Sequence, residues 1–304
     1  MSVVLLTAAL MFGAIAVTAA LVPRSARWIV REYRHAAVLR LALIACAGCL
    51  ITLSVAALVM PPPSEALDGG VLLSGAGIAG LSMVAPVFQR SRRTVTAPRR
   101  ILAIGAHPDD LELACGATLA KLVDEGHEVR TLVMSRGAVG GHADLRAGEA
   151  MLGSAFLGSR EVCVQDFADT RLSSFECEMV ALIERHIAEF QPDLVLTHSE
   201  HDYHQDHLAV HLATMRAARQ HSSILCFESP SATQGFCPTV YVDVAGYVDV
   251  KVKAVSLHKD QGAKAYMTAE RVRGQLSFRG SQAKREFAEG FEAVRLLTST
   301  LGDL

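Results

Sequence analysis

The 304-residue chain has almost no net charge, no internal repeat, no low-complexity tract and no cysteine pattern of a disulfide scaffold. Its 29 basic and 31 acidic residues leave a formal net charge of −2, which argues against a nucleic-acid partner. Seven cysteines, at positions 46, 49, 115, 163, 177, 226 and 237, are odd in number and scattered. That suits a reducing compartment better than a disulfide framework. Cys46-x-x-Cys49 has no histidine or charged neighbour, so small residues packing between helices explain it better than a redox or metal motif. Charge is missing altogether from Met1 to Val22. This stretch also lacks the positive n-region of a secretory signal, and its apolar run exceeds the usual h-region, so a membrane helix is the preferred reading over a cleaved leader.

The apolar fraction is 51 % and mean hydropathy is positive, and the excess is concentrated before residue 90. Three apolar stretches, Met1–Val22, about Ala36–Met60 and about Gly69–Phe88, each reach the roughly 20 residues that cross a bilayer as a helix. The third is rich in Gly, Ala and Ser, so a re-entrant segment is its alternative and the region holds two to three transmembrane helices. Arg24, Arg27, Arg31, Arg34 and Arg40 follow the first stretch, whereas the loop Pro61–Asp68 holds only Glu65 and Asp68. Arg90, Arg92, Arg93, Arg99 and Arg100 follow the third. The positive-inside rule then predicts an integral membrane protein with its N-terminus outside and its C-terminal domain in the cytoplasm. Residues 1–89 form the membrane region, and 90–99 a basic linker lying against anionic headgroups of the membrane lipids.

From residue 100 onward, short β-branched runs alternate with helical patterns. Strands are expected at Ile101–Ala106, Glu128–Met134, Val162–Val164, Asp193–Thr197, Ile224–Glu228 and Thr239–Val244. Helices are expected at Leu111–Glu125, about Asp144–Leu157 and Phe175–Phe190, from Asp206, and at Val248–Lys259 and Arg285–Leu297. This rhythm predicts an α/β fold over 100–304, a Rossmann-like, doubly wound and mainly parallel sheet. Such sheets bind ligands beyond the carboxyl ends of their strands, near a topological switch point.

Two polar clusters fall at such strand ends. Ala106-His107-Pro108-Asp109-Asp110 follows the first strand, and Thr197-His198-Ser199-Glu200-His201-Asp202-Tyr203-His204-Gln205-Asp206-His207 follows the fourth. One histidine and two carboxylates at one strand end, with His-x-x-His at another, compose a mononuclear metal site with a free carboxylate beside it, as metal-assisted hydrolysis requires. Pro108 restricts His107 to an extended conformation, and Asp109 and Asp110 then stand at a helix start, where backbone N–H groups favour carboxylates. Pro-Asp-Asp before a helix is also ordinary N-cap chemistry, and it is the second cluster that tips the balance. His207-x-x-x-His211 lacks the Glu that a zincin carries after its first His, since Leu208 stands there, which excludes that peptidase class. His198, His201 and His211 read as polar loop or helix residues.

These residues resemble the PIG-L/LmbE family of zinc-dependent N-acetylglucosaminyl deacetylases, in which a strand leads into A-H-P-D-D and a later strand into T-H and an H-x-D-H cluster. Arg146-x-x-Glu149 with Leu157-Gly158, Phe167-Ala-Asp169-Thr-Arg171-Leu172, and Lys251–Gln261 with His258 and Gln261 extend the likeness over about residues 99–298. The resemblance implies His107, Asp110 and His207 as ligands of zinc, with iron(II) the alternative metal. It implies Asp109 as general base, and His204 as the group that stabilises the oxyanion or protonates the leaving amine. Arg146 and Asp169 would contact sugar hydroxyls, and Asp206 would orient one of the histidines. The loop Ser135–Gly141 departs from the family's more usual T-x-G-E-x-G, with Ala138 in place of the acidic residue.

The expected activity is removal of acetate from an N-acetylamino sugar carried by a lipid, at the cytoplasmic membrane face. Two other readings stay open on the sequence: an amidase for a soluble N-acyl compound or thiol conjugate, and a non-catalytic membrane protein that binds a glycan or a metal. The presence of Asp109 speaks against the last.

Overall fold

The computed structural model describes residues 1–60, 65–90, 95 and 97–297, and the chain divides into two compact units, Met1–Ser91 and Arg92–Leu304. The first unit is helical: α1 (Val3–Leu21), α2 (Pro23–Glu32), α3 (Ala36–Val59) and α4 (Glu65–Val84), the last running on into a 3₁₀ turn at Ala85–Phe88. Three segments here, Val3–Leu21, Ala36–Val59 and Glu65–Phe88, are long and apolar enough to cross a membrane. The third stretch is helical throughout its described length, although the flanking residues 61–64 lie outside the described part.

Small residues share the interior of this unit with a few large ones: Ala20, Ala36 and Ala47 are wholly buried beside Leu6, Leu50, Val71 and Ile78, while Leu73 and Met83 are three-quarters or more exposed. A Cβ on Gly13 would stand 2.8 Å from Ile51, so glycine lets α1 approach α3 closely. Helix α2 is not among the elements expected from the sequence. Arg90 departs from the expected headgroup tether: it is buried, and its guanidinium donates to the carbonyls of Val30 (2.9 Å), Arg31 (3.1 Å) and Tyr33 (3.0 Å), capping the end of α2. Arg92 and Arg93 of the same run lie outside the described residues.

The second unit is built on β1 (Arg100–Gly105), α5 (Asp110–Asp124), β2 (Glu128–Ser135), α6 (Ala143–Leu157), β3 (Glu161–Phe167), α7 (Glu176–Phe190), β4 (Leu194–His198), α8 (Gln205–Ala217) and β5 (Ile224–Phe227). It continues through β6 (Val240–Asp243), α9 (Val248–Val255), α10 (Ala269–Ala283) and β7 (Ala288–Arg295). The strands form one mixed sheet in the order β3-β2-β1-β4-β5-β7-β6. The first five are parallel, and β7 runs antiparallel to both β5 and β6.

Alternation along β1 sorts the two faces. Ile101 and Ala103 pack in the cluster that includes α5, α9 and α10, and Leu102 and Ile104 in the one that includes α7 and α8. Sequence order reverses between β1 and β4, which pair directly, so the switch point lies where both polar clusters leave the sheet.

The helix expected at Arg285–Leu297 is instead the strand β7. Phe287, Phe291 and Val294 have helical spacing, but pairing with β5 on one side and β6 on the other decides the conformation. Glu289 of β7 is buried and accepts from the backbone N–H groups of Ala117 (3.1 Å) and Thr118 (2.7 Å) and from Lys251 Nζ (2.5 Å). These bonds follow the break in α5 at Cys115, whose φ of −133° is not helical, so Glu289 caps the second half of that helix from another strand.

Candidate active site

The chain leaves β1 at Gly105 and enters α5 at Asp110 through a tight turn. Asp109 stands at φ 101°, a left-handed conformation that costs an L-residue of order 1–3 kcal/mol and recurs at functional sites. The turn is tied by Asp110, whose Oδ2 accepts from the N–H groups of Ala106 (3.0 Å) and His107 (2.7 Å). His198, the last residue of β4, places its Nε2 3.1 Å from that same oxygen. Residues 199–204 then lead to α8, where the His204 side chain caps the helix by accepting from the Asp206 N–H (3.2 Å).

Two histidines are held in the same way. His107 Nε2 lies 3.0 Å from Asp206 Oδ2 and 3.2 Å from Asp169 Oδ1, which leaves Nδ1 3.6 Å from Asp110 Oδ2. His207 Nδ1 lies 2.8 Å from Asp202 Oδ2, which leaves Nε2 3.4 Å from Asp110 Oδ1. Each ring therefore spends one nitrogen on a carboxylate and turns the other towards Asp110. A carboxylate behind an imidazole fixes its tautomer and raises its basicity, the arrangement that metal-ligating histidines use.

The electrostatics fit a cation. Burial opposes ionisation of Asp110, but the charges of His207 and His198 outweigh it and hold the carboxyl well below its ordinary range. Asp169, Asp202 and Asp206 are likewise lowered against burial, the first and third by their hydrogen bonds to His107 and Asp202 by its bond to His207. Four ionised carboxylates thus surround two imidazoles. Burial disfavours charge on His207, yet Asp110 and Asp202 lift its pKa to about 9, and hydrogen bonds to Asp110, Asp169 and Asp206 raise His107 against the same penalty. A divalent ion compensates those carboxylates as protonation does. The imidazole and carboxylate donor set suits zinc or iron(II).

Among the described residues, three overlapping groups of side chains have ligand atoms within 4.8 Å of one another: His107, His204 and His207; Asp110, His198 and His207; His107, Asp169 and Asp206. The trio His107, Asp110 and His207 draws its members from the first two of these groups.

A cavity of about 270 Å3 opens on this cluster, lined by His107, Asp109, Asp110, Arg146, Asp169, His204 and His207, together with Lys264 and Tyr266 from the chain after α9. Asp206, expected to orient a histidine, stands behind it, fully buried against His107. The Asp109 carboxyl is raised to about 7, first by burial and then by the charge of Asp110. Its Oδ2 has no hydrogen-bond partner, and the nearest cation, Arg146 Nη2, is 3.6 Å away. Arg146 also donates to the carbonyls of Gly137 (2.7 Å) and Pro108 (3.1 Å), so it ties the Asp109 turn to the loop after β2. Gly137 is required there: its φ is +66°, and a Cβ would fall 2.2 Å from Arg146 Nη1. Asp169 uses its second oxygen on the N–H groups of Val139 (2.7 Å) and Gly140 (3.3 Å) of the same loop. His204 is lowered by burial and by the charges of His207 and His107, and its ring stacks 4.5 Å from His207.

Two participants lie outside the expectations from sequence. His198 reads there as a bland polar residue, yet it is wholly buried, stacks 4.0 Å from His207 and contacts Asp110. Asp202 carries no assigned role in the sequence, although it holds His207 and is itself held by the hydroxyls of Ser229 and Ser231. A histidine closing an apolar strand beside the switch point is the available signal for the first. For the second it is the spacing Asp202-x-x-x-x-His207.

Comparison with known proteins bears on this geometry. Residues 102–218 match the PIG-L family profile, described as GlcNAc-PI de-N-acetylase. The chain is 39 % identical over 166 residues to the uncharacterized deacetylase YaiS of Escherichia coli (strain K12), covering 52 % of this chain and 90 % of that protein. It is 28 % identical over 187 residues to the diacetylchitobiose deacetylase of Thermococcus kodakarensis, covering 54 % of this chain and 70 % of the relative. Among solved structures, the conserved protein TT1542 of Thermus thermophilus superposes with a TM-score of 0.58 at 22 % identity, covering 66 % of this chain and 96 % of that one, and so shares the fold.

Proposed function

The chain belongs to the PIG-L family of de-N-acetylases, and on that premise we propose that it hydrolyses the acetamide of an N-acetylamino sugar carried on a lipid, with its second unit at the cytoplasmic face of a membrane. The observation that carries the chemistry is the convergence of His107 Nδ1 and His207 Nε2 on Asp110, beside an unpartnered Asp109 oxygen in one cavity. His107, Asp110 and His207 would hold the metal, zinc or iron(II), which supplies Lewis acidity for an amide carbonyl and for water. Asp109 accepts the proton of the attacking water, for which a carboxyl near neutrality is well matched. Arg146 keeps that carboxylate aimed. His204, with Nδ1 engaged by the α8 N-terminus, offers Nε2 to the carbonyl oxygen as charge develops there and then to the departing nitrogen. Acetate and a free amino sugar result.

The cavity volume suits a single sugar ring, with the rest of the glycoconjugate outside. The lipid-linked substrate rests on the three apolar spans, and the cytoplasmic placement on the arginines at 24, 27, 31, 34 and 40 against Glu65 and Asp68.

The test is acetate release by full-length, metal-loaded protein from N-acetylglucosamine lipids and from soluble N-acetylglucosaminides, beside Asp109→Asn. Release from a lipid-linked member, lost in the variant while metal is retained, supports the whole proposal. Release from soluble compounds alone removes the lipid from it, and no release from any member removes the deacetylase.

A further inference from the structure

The first unit contains a second cavity, of about 300 Å3, at the end where α1 gives way to α2 and where α4 finishes. Its walls come from the last turn of α2 and its cap (Trp28, Ile29, Tyr33), the start of α3 (Leu39, Arg40, Leu43) and the end of α4 (Leu81, Ser82).

Arg40 is the unusual member. It lies about 6 Å inside the start of an apolar helix, at a rise of about 1.5 Å per residue. Its Nε and Nη2 donate to one carbonyl, that of Ala20 in the last turn of α1, at 3.2 and 3.1 Å. That carbonyl lies at the negative end of the α1 dipole and orients the guanidinium. It leaves the other N–H groups without an acceptor, and no carboxylate pairs with Arg40 among the described residues. A guanidinium at the edge of the hydrocarbon with donors to spare is expensive unless an anion meets it.

The surroundings say which anion. Arg24, Arg27, Arg31, Arg34 and Arg90 stand at the same end of the unit, with Glu32 as the one acid between residues 22 and 60. A free cationic headgroup is repelled there. Trp28 and Tyr33, which pack edge to face at 5.7 Å, are the residue types that sit at headgroup level, and Leu39, Leu43 and Leu81 give the cavity an apolar wall. Helix α2 is amphipathic, with Arg24, Arg27 and Arg31 at spacings of three and four, as in helices that lie in the interface.

We infer that this cavity binds one anionic phospholipid, its phosphodiester on Arg40 and the first part of an acyl chain along Leu39, Leu43 and Leu81. The site lies within the first unit, and it stands or falls independently of whether the substrate of the second unit is a lipid. Arg40 converts the cost of a charge in the membrane into selectivity for a headgroup charge, and α2 closes over the glycerol region with Trp28.

The experiment is native mass spectrometry of the full-length protein released from micelles doped with phosphatidylglycerol or with phosphatidylcholine of the same chains, alongside Arg40→Gln, Leu43→Trp and Arg24→Gln. The expected result is one retained phosphatidylglycerol, at least tenfold more than phosphatidylcholine. Retention should fall about tenfold both in Arg40→Gln and in Leu43→Trp, which fills the wall while leaving the Arg40 bonds to Ala20 in place. Arg24→Gln, on the exposed face of α2, should change retention less than twofold. Equal retention of the two lipids, or a loss in Arg24→Gln as large as in Arg40→Gln, overturns the site in favour of diffuse surface charge. Displacement of bound phosphatidylglycerol by inorganic phosphate overturns the lipid and leaves an anion site. The helical signal and the thermal transition of each variant, compared with the parent, report that the first unit has folded.

Discussion

The two units place polar groups by opposite rules. In Met1–Ser91 most of the large apolar side chains face outward around a small core of Leu6, Leu50, Val71, Ile78 and alanines, while Arg40 and Arg90 donate to backbone carbonyls at helix ends. In Arg92–Leu304 the branched apolar residues face inward, and the carboxylates at the site are buried in company with histidines. The same property, apolarity along a helix, thus means surface in the first unit and core in the second. Outward leucines suit the proposed membrane surroundings, because hydrocarbon gives no drive to bury leucine whereas water does.

The comparison predicts that chemistry and stability respond to different parts of the chain. Asp109→Asn should lower kcat for acetate release by about 10²–10⁴, the usual contribution of a general base, with metal content unchanged. Leu73→Ala, on the outer face of α4, should leave kcat within twofold, and a comparable loss there would break the division. Removal of metal by dipicolinate should abolish turnover and return it on adding zinc, with the helical signal of the first unit retained.

Lys251→Met leaves Glu289 charged and buried and should cost about 3–5 kcal/mol in denaturant unfolding of the full chain. The double change Lys251→Met with Glu289→Leu should recover part of that, since the stranded charge is gone. Gly13→Leu should cost about 1–3 kcal/mol by pushing α1 from Ile51, read as an earlier thermal transition that leaves kcat unaltered.

The smallest effect concerns His258. Burial opposes its charge, but Glu112, 3.3 Å away, and then Asp109 and Glu149 raise its pKa above the ordinary imidazole value. A raised folded-state pKa contributes stability that is complete below the unfolded value of about 6.5 and is lost as pH rises through the folded value. The unfolding midpoint should therefore fall from about pH 6.5 upward. Glu112→Gln should flatten that slope, and an unchanged slope would assign it elsewhere.

What the sequence discloses follows the range of the interactions involved. β1, α5, β4 and the start of α8 are legible because each is a local pattern ended by its own turn or cap, and the two clusters at 106–110 and 204–207 come with them. β7 is not, because its conformation is decided by β5 and β6, which lie some 45–70 residues earlier in the chain. α10 escapes notice because its turns are mostly polar and only Val272, Leu276 and Gly280, with Arg279, reach the interior. His198 and Asp202 look unremarkable for a related reason: beyond the strand end at His198 and the spacing of Asp202 to His207, they are fixed by partners at Asp110 and Ser229 that are distant in sequence.

The φ of 101° at Asp109 bears on what selection must defend. Glycine adopts that backbone without penalty, so folding alone favours losing the carboxylate. Asp109→Gly should therefore yield a chain that resists denaturant at least as well as the parent while its turnover falls at least as far as that of Asp109→Asn. A lineage freed from its substrate would drift towards that residue first, so the side chain at this one turn would record whether a descendant still works as an enzyme.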